Sequence, residues 1–86
     1  MHESGIVGDL MRKVEAESGG SPRQVASIRI RVGVLSGLRE EALRQGMRRY
    51  ATERWGISPR ITVDHGRHPS DPDALGVTLL SIGLEG

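Results

Sequence analysis

The chain reads as an α+β domain in which two helices pack on one face of a three-stranded, mainly antiparallel sheet, in the order α-β-α-β-β. Three observations predict this. Two stretches place apolar residues at helical spacing, three others alternate with a period of two, and clusters of Gly, Pro, Asp and Ser separate them. At 86 residues there is room for one domain, spanning 1–86, and a chain this short buries only about 60% of its unfolded surface.

The first helix is predicted over residues 4–18, where Ile6, Val7, Leu10, Met11 and Val14 form one apolar stripe opposite Arg12, Lys13, Glu15 and Glu17. Gly5 and Gly8 each cost it about 1 kcal/mol against Ala, so it depends on docking. Gly19-Gly20 stops it, and Ser21-Pro22 reads as a loop. From Val25 the period becomes two: Ile28, Ile30, Val32 and Val34 point one way, and Ser27, Arg29, Arg31 and Gly33 the other. The second helix follows, with Ser36 as its expected cap and Leu38, Ala42, Leu43, Met47, Tyr50 and Ala51 at helical intervals, and it ends before Gly56.

Pro59 excludes a continuing helix, and "RITVD" alternates again with Ile61 and Val63 inward. "HGRHPSDPDALG" reads as a loop. The last strand is predicted over 77–85, with Leu80, Ile82 and Leu84 on one face and Val77 and Leu79 on the other. The sheet face away from the helices would carry Arg29, Arg31, Thr62 and Asp64.

Composition narrows the chemistry. There is no cysteine, which excludes disulfides, Fe-S clusters, thiolate zinc sites and cysteine nucleophiles. No run of about eighteen apolar residues and no secretory pattern occurs, so a cytoplasmic protein without a membrane partner is the expectation. The formal net charge of +1 and the two aromatic residues argue against a nucleic-acid partner. Lys13 is the one Lys among twelve basic residues, a bias that serves carboxylate or phosphate binding but that GC-rich coding also produces. No P-loop, dinucleotide glycine pattern or nucleophile-base pair is present, and no enzymatic activity is expected.

The first three residues, Met1-His2-Glu3, carry a specific chemistry. The terminal amine of Met1, the deprotonated amide nitrogen of His2 and Nδ1 of its ring close a five-membered and then a six-membered chelate. One in-plane position remains for Glu3 or for a carboxylate at the start of the second helix, Glu40 or Glu41. Planar nitrogen coordination suits Ni(II) and Cu(II) rather than Zn(II) or Mg(II), and such a site is acid-labile because its donors must lose or lack protons. Taken alone, a histidine at position two is also what an ordinary terminus carries.

Two further clusters have double readings. His65 and His68 lie beside Asp64, Asp71 and Asp73 and could hold a second metal, or belong to a solvated loop whose Asp and Pro residues make turns. Arg44, Arg48, Arg49 and Arg54 could grip an acidic protein or a phosphate backbone, or form a helix's wet face.

"MHE" at the start and the stretch "VASIRIRVGVLSGLREEAL" resemble the HypA family, nickel-insertion accessory proteins of nickel-iron hydrogenase maturation. Members begin Met-His-Glu and carry a G-x-L-S-G-x-x-x-E-A-L stretch, matched here by Gly33, Leu35, Ser36, Gly37, Glu41, Ala42 and Leu43. The tail "LGVTLLSIGLEG" is similar to the family's final strand, so the likeness covers 1–64 well and about 75–85 loosely. The family inserts a zinc module with two C-x-x-C pairs between its second and third strands; here 64–75 is a short loop without cysteine, and no zinc is expected.

The resemblance, joined to that terminal chemistry, implies a Ni(II)-binding accessory protein whose metal donors are Met1, His2 and Glu3; Glu40, suggested by the open fourth position alone, is a weaker one. It also implies two partners, the hydrogenase large-subunit precursor and the family's maturation GTPase. The rival expectation is an interaction or assembly module derived from the same scaffold, without metal transfer.

Overall fold

The computed structural model describes residues 3–85, with side chains from residue 5 onward. Helix α1 spans Glu3–Glu17, a short 3-10 turn covers Pro22–Gln24, and strand β1 runs Val25–Val32. Helix α2 spans Glu40–Trp55, followed by β2, Arg60–His65, and β3, Val77–Leu84. The predicted α+β arrangement holds, and the sheet is mixed, with strand order β2-β1-β3.

β1 pairs in parallel with β2 and antiparallel with β3. The parallel pair follows from α2: a helix between two neighbouring strands returns the chain to the end from which the first strand started. Loop 66–76 then carries the chain across the carboxyl end of β1 to the other edge. It is tied down there, since Gly33 N donates to Gly76 O at 2.8 Å, Leu35 N to Ala74 O at 2.8 Å, and Gly66 N to Val32 O at 2.8 Å. Ala74 is buried beneath this crossing. Gly33 makes the crossing possible, because a Cβ there would stand well inside contact distance of the carbonyl oxygens of Asp73 and Ala74.

The core combines Val7, Leu10, Met11 and Val14 of α1 with Leu43, Met47, Ala51 and Trp55 of α2. From the sheet come Val25, Ile28, Ile30, Val32 and Ile61. The helices approach closely where Gly46 faces Val7; a Cβ on Gly46 would sit 2.9 Å from Val7 Cγ2. With no phenylalanine in the chain, the aromatic contribution is an edge-on pair of Tyr50 and Trp55, with ring centroids 5.6 Å apart.

Three local expectations are corrected. Leu80 is an extra residue in the pairing of β3 with β1, so Val77, Leu79 and Ile82 all pack on the core, whereas strict alternation divides them between two faces. A bulge shifts parity by one; Leu84, the last residue of β3, is 46% exposed although it shares the parity of Ile82. Val34 is not part of the inward row: β1 ends at Val32 and Val34 is 46% exposed. Ser36 does not cap α2; its Oγ accepts from Leu38 N at 3.3 Å within a turn, and Gly37 adopts a φ of +69°. That turn delays the helix until Glu40, where Arg39 is the N-cap without a side-chain bond. At the other end Gly56, with φ 69°, closes α2 as read from the sequence.

Two glycine substitutions should therefore move stability in opposite directions in urea unfolding. Gly33→Ala forces the loop crossing apart and should cost about 1–3 kcal/mol. Gly5→Ala, on an exposed helical position with nothing within 4 Å of a new Cβ, should gain about 0.5–1 kcal/mol. Equal effects would contradict the crossing's role.

Candidate metal site

Met1, His2 and the side chain of Glu3, expected from the sequence to be metal donors, lie outside the described residues. The backbone of Glu3 opens α1. One turn further on, Ile6 lines a groove together with Leu38, and Val7 lines another with Ala42 and Gly46. The beginning of α1 thus lies beside the stretch that contains Glu40, the first residue of α2.

Glu40 is held from both sides. Its Oε1 lies 2.7 Å from Nε2 of His65, and its Oε2 is 2.8 Å from Nη2 of Arg44. Arg44 Nη1 also donates to Glu41 Oε1 at 2.6 Å. The partnership of Glu40 with His65 follows from topology. His65 is the last residue of β2, on the parity of Ile61 and Val63, so its ring is directed to the helix layer. Because β1 and β2 are parallel, the end of β2 and the start of α2 fall at the same end of the β1-α2-β2 unit.

The hydrogen-bond pattern fixes the proton's position. An ionised carboxylate only accepts, so the nitrogen facing Glu40 carries the hydrogen, and Nε2–H donates to Oε1. Glu40 stays ionised readily: the hydrogen bond from His65 lowers its pKa below the ordinary glutamate value, partial burial works against this, and the hydrogen bond and charge of Arg44 reinforce it. For Arg44, burial opposes the charge, but its bonds with Glu41 and Glu40 outweigh burial and raise its pKa. In the neutral tautomer with hydrogen on Nε2, Nδ1 of His65 keeps a lone pair, and it has no hydrogen-bond partner among the described residues. The side chain of His65 is 61% exposed.

His68 sits on the exposed surface of loop 66–76, where its backbone carbonyl accepts from Asp71 N at 3.1 Å. Asp73 is engaged by Thr78 Oγ1 at 2.9 Å, and Asp64 is paired with Arg29 at 2.7 Å on the open sheet face. No group of three or more His, Asp or Glu side chains able to hold a metal occurs among the described residues. The imidazole and carboxylate of His65 and Glu40 are donor types that Ni(II) accepts, but as a pair they complete no site without further donors. The arginine row of α2 is likewise divided: Arg44 belongs to the carboxylate cluster, and Arg54 lies over the Tyr50 ring at 4.7 Å from its centroid.

The sequence reading places Glu40 as a weak metal donor and leaves His65 in a loop. The alternation in "RITVD" predicts a β2 that stops at Asp64, whereas the strand runs one residue further, and that extra residue puts His65 on the inner face.

Since Glu40 has a depressed pKa in the folded state, the native protein binds this proton less tightly than the unfolded chain does. The stabilisation is complete above the unfolded glutamate value of about 4.3 and is lost as pH falls through the lower folded value. His65→Ala should therefore raise the Glu40 pKa toward the ordinary value in a side-chain carboxyl NMR titration. An unchanged Glu40 titration would show that His65 does not hold it.

No protein-family model and no curated protein matches the sequence. Among solved structures, the chain is similar to the Ni metallochaperone HypA from Helicobacter pylori, determined in solution, with a TM-score of 0.70 and 13% sequence identity. The similarity covers 98% of this chain and 97% of that one. The chain has a HypA-like fold.

Proposed function

We propose that this protein is a nickel-binding accessory protein that holds Ni(II) through the Met1 amine and amide-ring pair of His2, with Glu3 beside them, and delivers it during nickel-iron hydrogenase maturation. One conjunction carries the reading: a fold like that of a Ni metallochaperone over nearly the whole chain, in a sequence that begins Met-His-Glu. Nickel is cargo here, not a catalytic cofactor, and the protein needs no enzymatic activity. The partners are the hydrogenase large-subunit precursor and the maturation GTPase, and the setting is the cytoplasm. No helix among the described residues is long and apolar enough to cross a membrane.

The tripeptide suits delivery because its donors can be exchanged one at a time. Glu40 is a weaker contributor, since a metal would have to displace its present bonds to His65 and Arg44. The loop 66–76 stands where the resembling family carries its zinc module, and the protein works without zinc.

A second reading, an interaction module without metal transfer, is favoured by one observation. Leu35 and Leu75 are 52% and 77% exposed, and the bond from Leu35 N to Ala74 O holds their segments together at the end of the sheet. Exposed apolar residues grouped in this way are a common feature of docking surfaces.

Calorimetric titration of Ni(II) into untagged protein tests the two readings. A stoichiometric site should be present, and it should be lost in His2→Ala and in a version extended by one Gly before Met1. Its affinity should fall as pH drops through the imidazole range near about 6.5. Unchanged binding in both variants would sink the nickel reading and leave the interaction module.

A further inference from the structure

We propose that the free edge of β3 pairs with β3 of a second copy of this chain, antiparallel about a two-fold axis, so that two three-stranded sheets join into one. The inference is independent of the nickel reading. It starts from the strand order β2-β1-β3, which leaves the outer backbone edges of β2 and β3 without a neighbouring strand among the described residues. A row of unpaired N–H and C=O groups is a template for another strand, and proteins that stay apart blunt such an edge with charge or proline.

The sequence treats the two edges differently. β2 carries Arg60, Asp64 and His65, and Pro59 stands immediately before it. β3 reads VTLLSIGL and holds neither a charge nor a proline. Its one interruption is the bulge at Leu80, which leaves 77–79 and 81–84 as pairing segments on either side. β3 is therefore the edge that accepts a strand.

Burial points the same way. In the central strand Ile28, Ile30 and Val32 are buried, whereas Val77, Leu79 and Ile82 of β3 pack on the core and stay partly exposed. Leu80 is also partly exposed, and Leu84 is exposed. A strand added at this edge takes apolar surface out of water, which drives association.

Two features select a second copy as the occupant. An uncharged strand meets no like charge when it faces itself, and a two-fold axis needs only one self-complementary surface. The ends of β3 are also complementary on reversal. Lys13 lines a groove with Leu75, Gly76 and Val77 at the start of the strand, and Glu85 follows its last residue. Neither is in a salt bridge among the described residues. Antiparallel pairing sets the Val77 end of one copy beside the Leu84 end of the other, so Lys13 and Glu85 fall at the same end as opposite charges, twice over. Parallel pairing would set Lys13 beside Lys13.

The test is sedimentation velocity on the full chain without added metal, from low micromolar to near-millimolar concentration, with folding checked by circular dichroism. The variants are Ser81→Lys, Ser81→Glu and Thr62→Lys. Ser81 is exposed and next to the midpoint of β3, so it lies close to its own copy in this arrangement; Thr62 is exposed on β2. The wild type should pass from monomer to dimer and no further. Each Ser81 variant should raise the dimer dissociation constant by about fivefold or more, an equimolar mixture of the two should recover the dimer, and Thr62→Lys should leave it unchanged. In hydrogen exchange on the wild type, β3 amides should gain protection as concentration rises and β2 amides should not. That readout keeps the test decisive even where a Ser81 variant does not fold. A wild type that stays monomeric throughout overturns the proposal, as does growth beyond a dimer. Weakening by Thr62→Lys but not by Ser81→Lys, or concentration-dependent protection in β2 rather than β3, overturns it as well.

Discussion

β1 occupies the middle of the sheet, with β2 parallel on one side and β3 antiparallel on the other, and the rest of the molecule is arranged around that pairing. The parallel neighbour requires a crossover, which α2 supplies. The antiparallel neighbour on the far edge requires a loop to pass over the carboxyl end of β1, and Gly33 leaves the space for that passage. Both demands meet at one end of the domain. There the start of α2, the end of β2 and loop 66–76 come together, and the opening of α1 packs beside them.

Much of this was legible in the sequence because the signals are periodic. The helices rest on apolar stripes whose members, from Val7 to Val14 and from Leu43 to Trp55, are buried as spacing requires. Glycine also reads well where a helix ends, as at Gly56. What periodicity does not encode is interruption. The extra residue Leu80 reverses the parity of β3 without any Gly or Pro to announce it, and Gly37 turns the chain once more before α2 begins. Strand direction is a property of connections, so the parallel pair becomes visible only when the length of α2 is considered together with the adjacency of β1 and β2.

The site was legible in part for a related reason. Reading Met1, His2 and Glu3 as donors needs no tertiary information, because they are consecutive. Glu40 and His65 are 25 positions apart and meet through the parallel pairing. The glycines of the G-x-L-S-G stretch perform structural tasks: Gly33 admits the loop and Gly37 takes a left-handed turn. The likeness at these two glycines therefore reports the fold, while Glu40, within the same stretch, is paired with His65 outside it. The Glu40 carboxylate holds one ring nitrogen of the exposed His65 imidazole.

The most direct measurement of the account is Ni K-edge X-ray absorption on untagged protein loaded with one equivalent of Ni(II). The account predicts a shell of nitrogen and oxygen only, with imidazole scattering from the His2 ring. Scattering from no ring, or a spectrum indistinguishable from nickel in buffer, would contradict it.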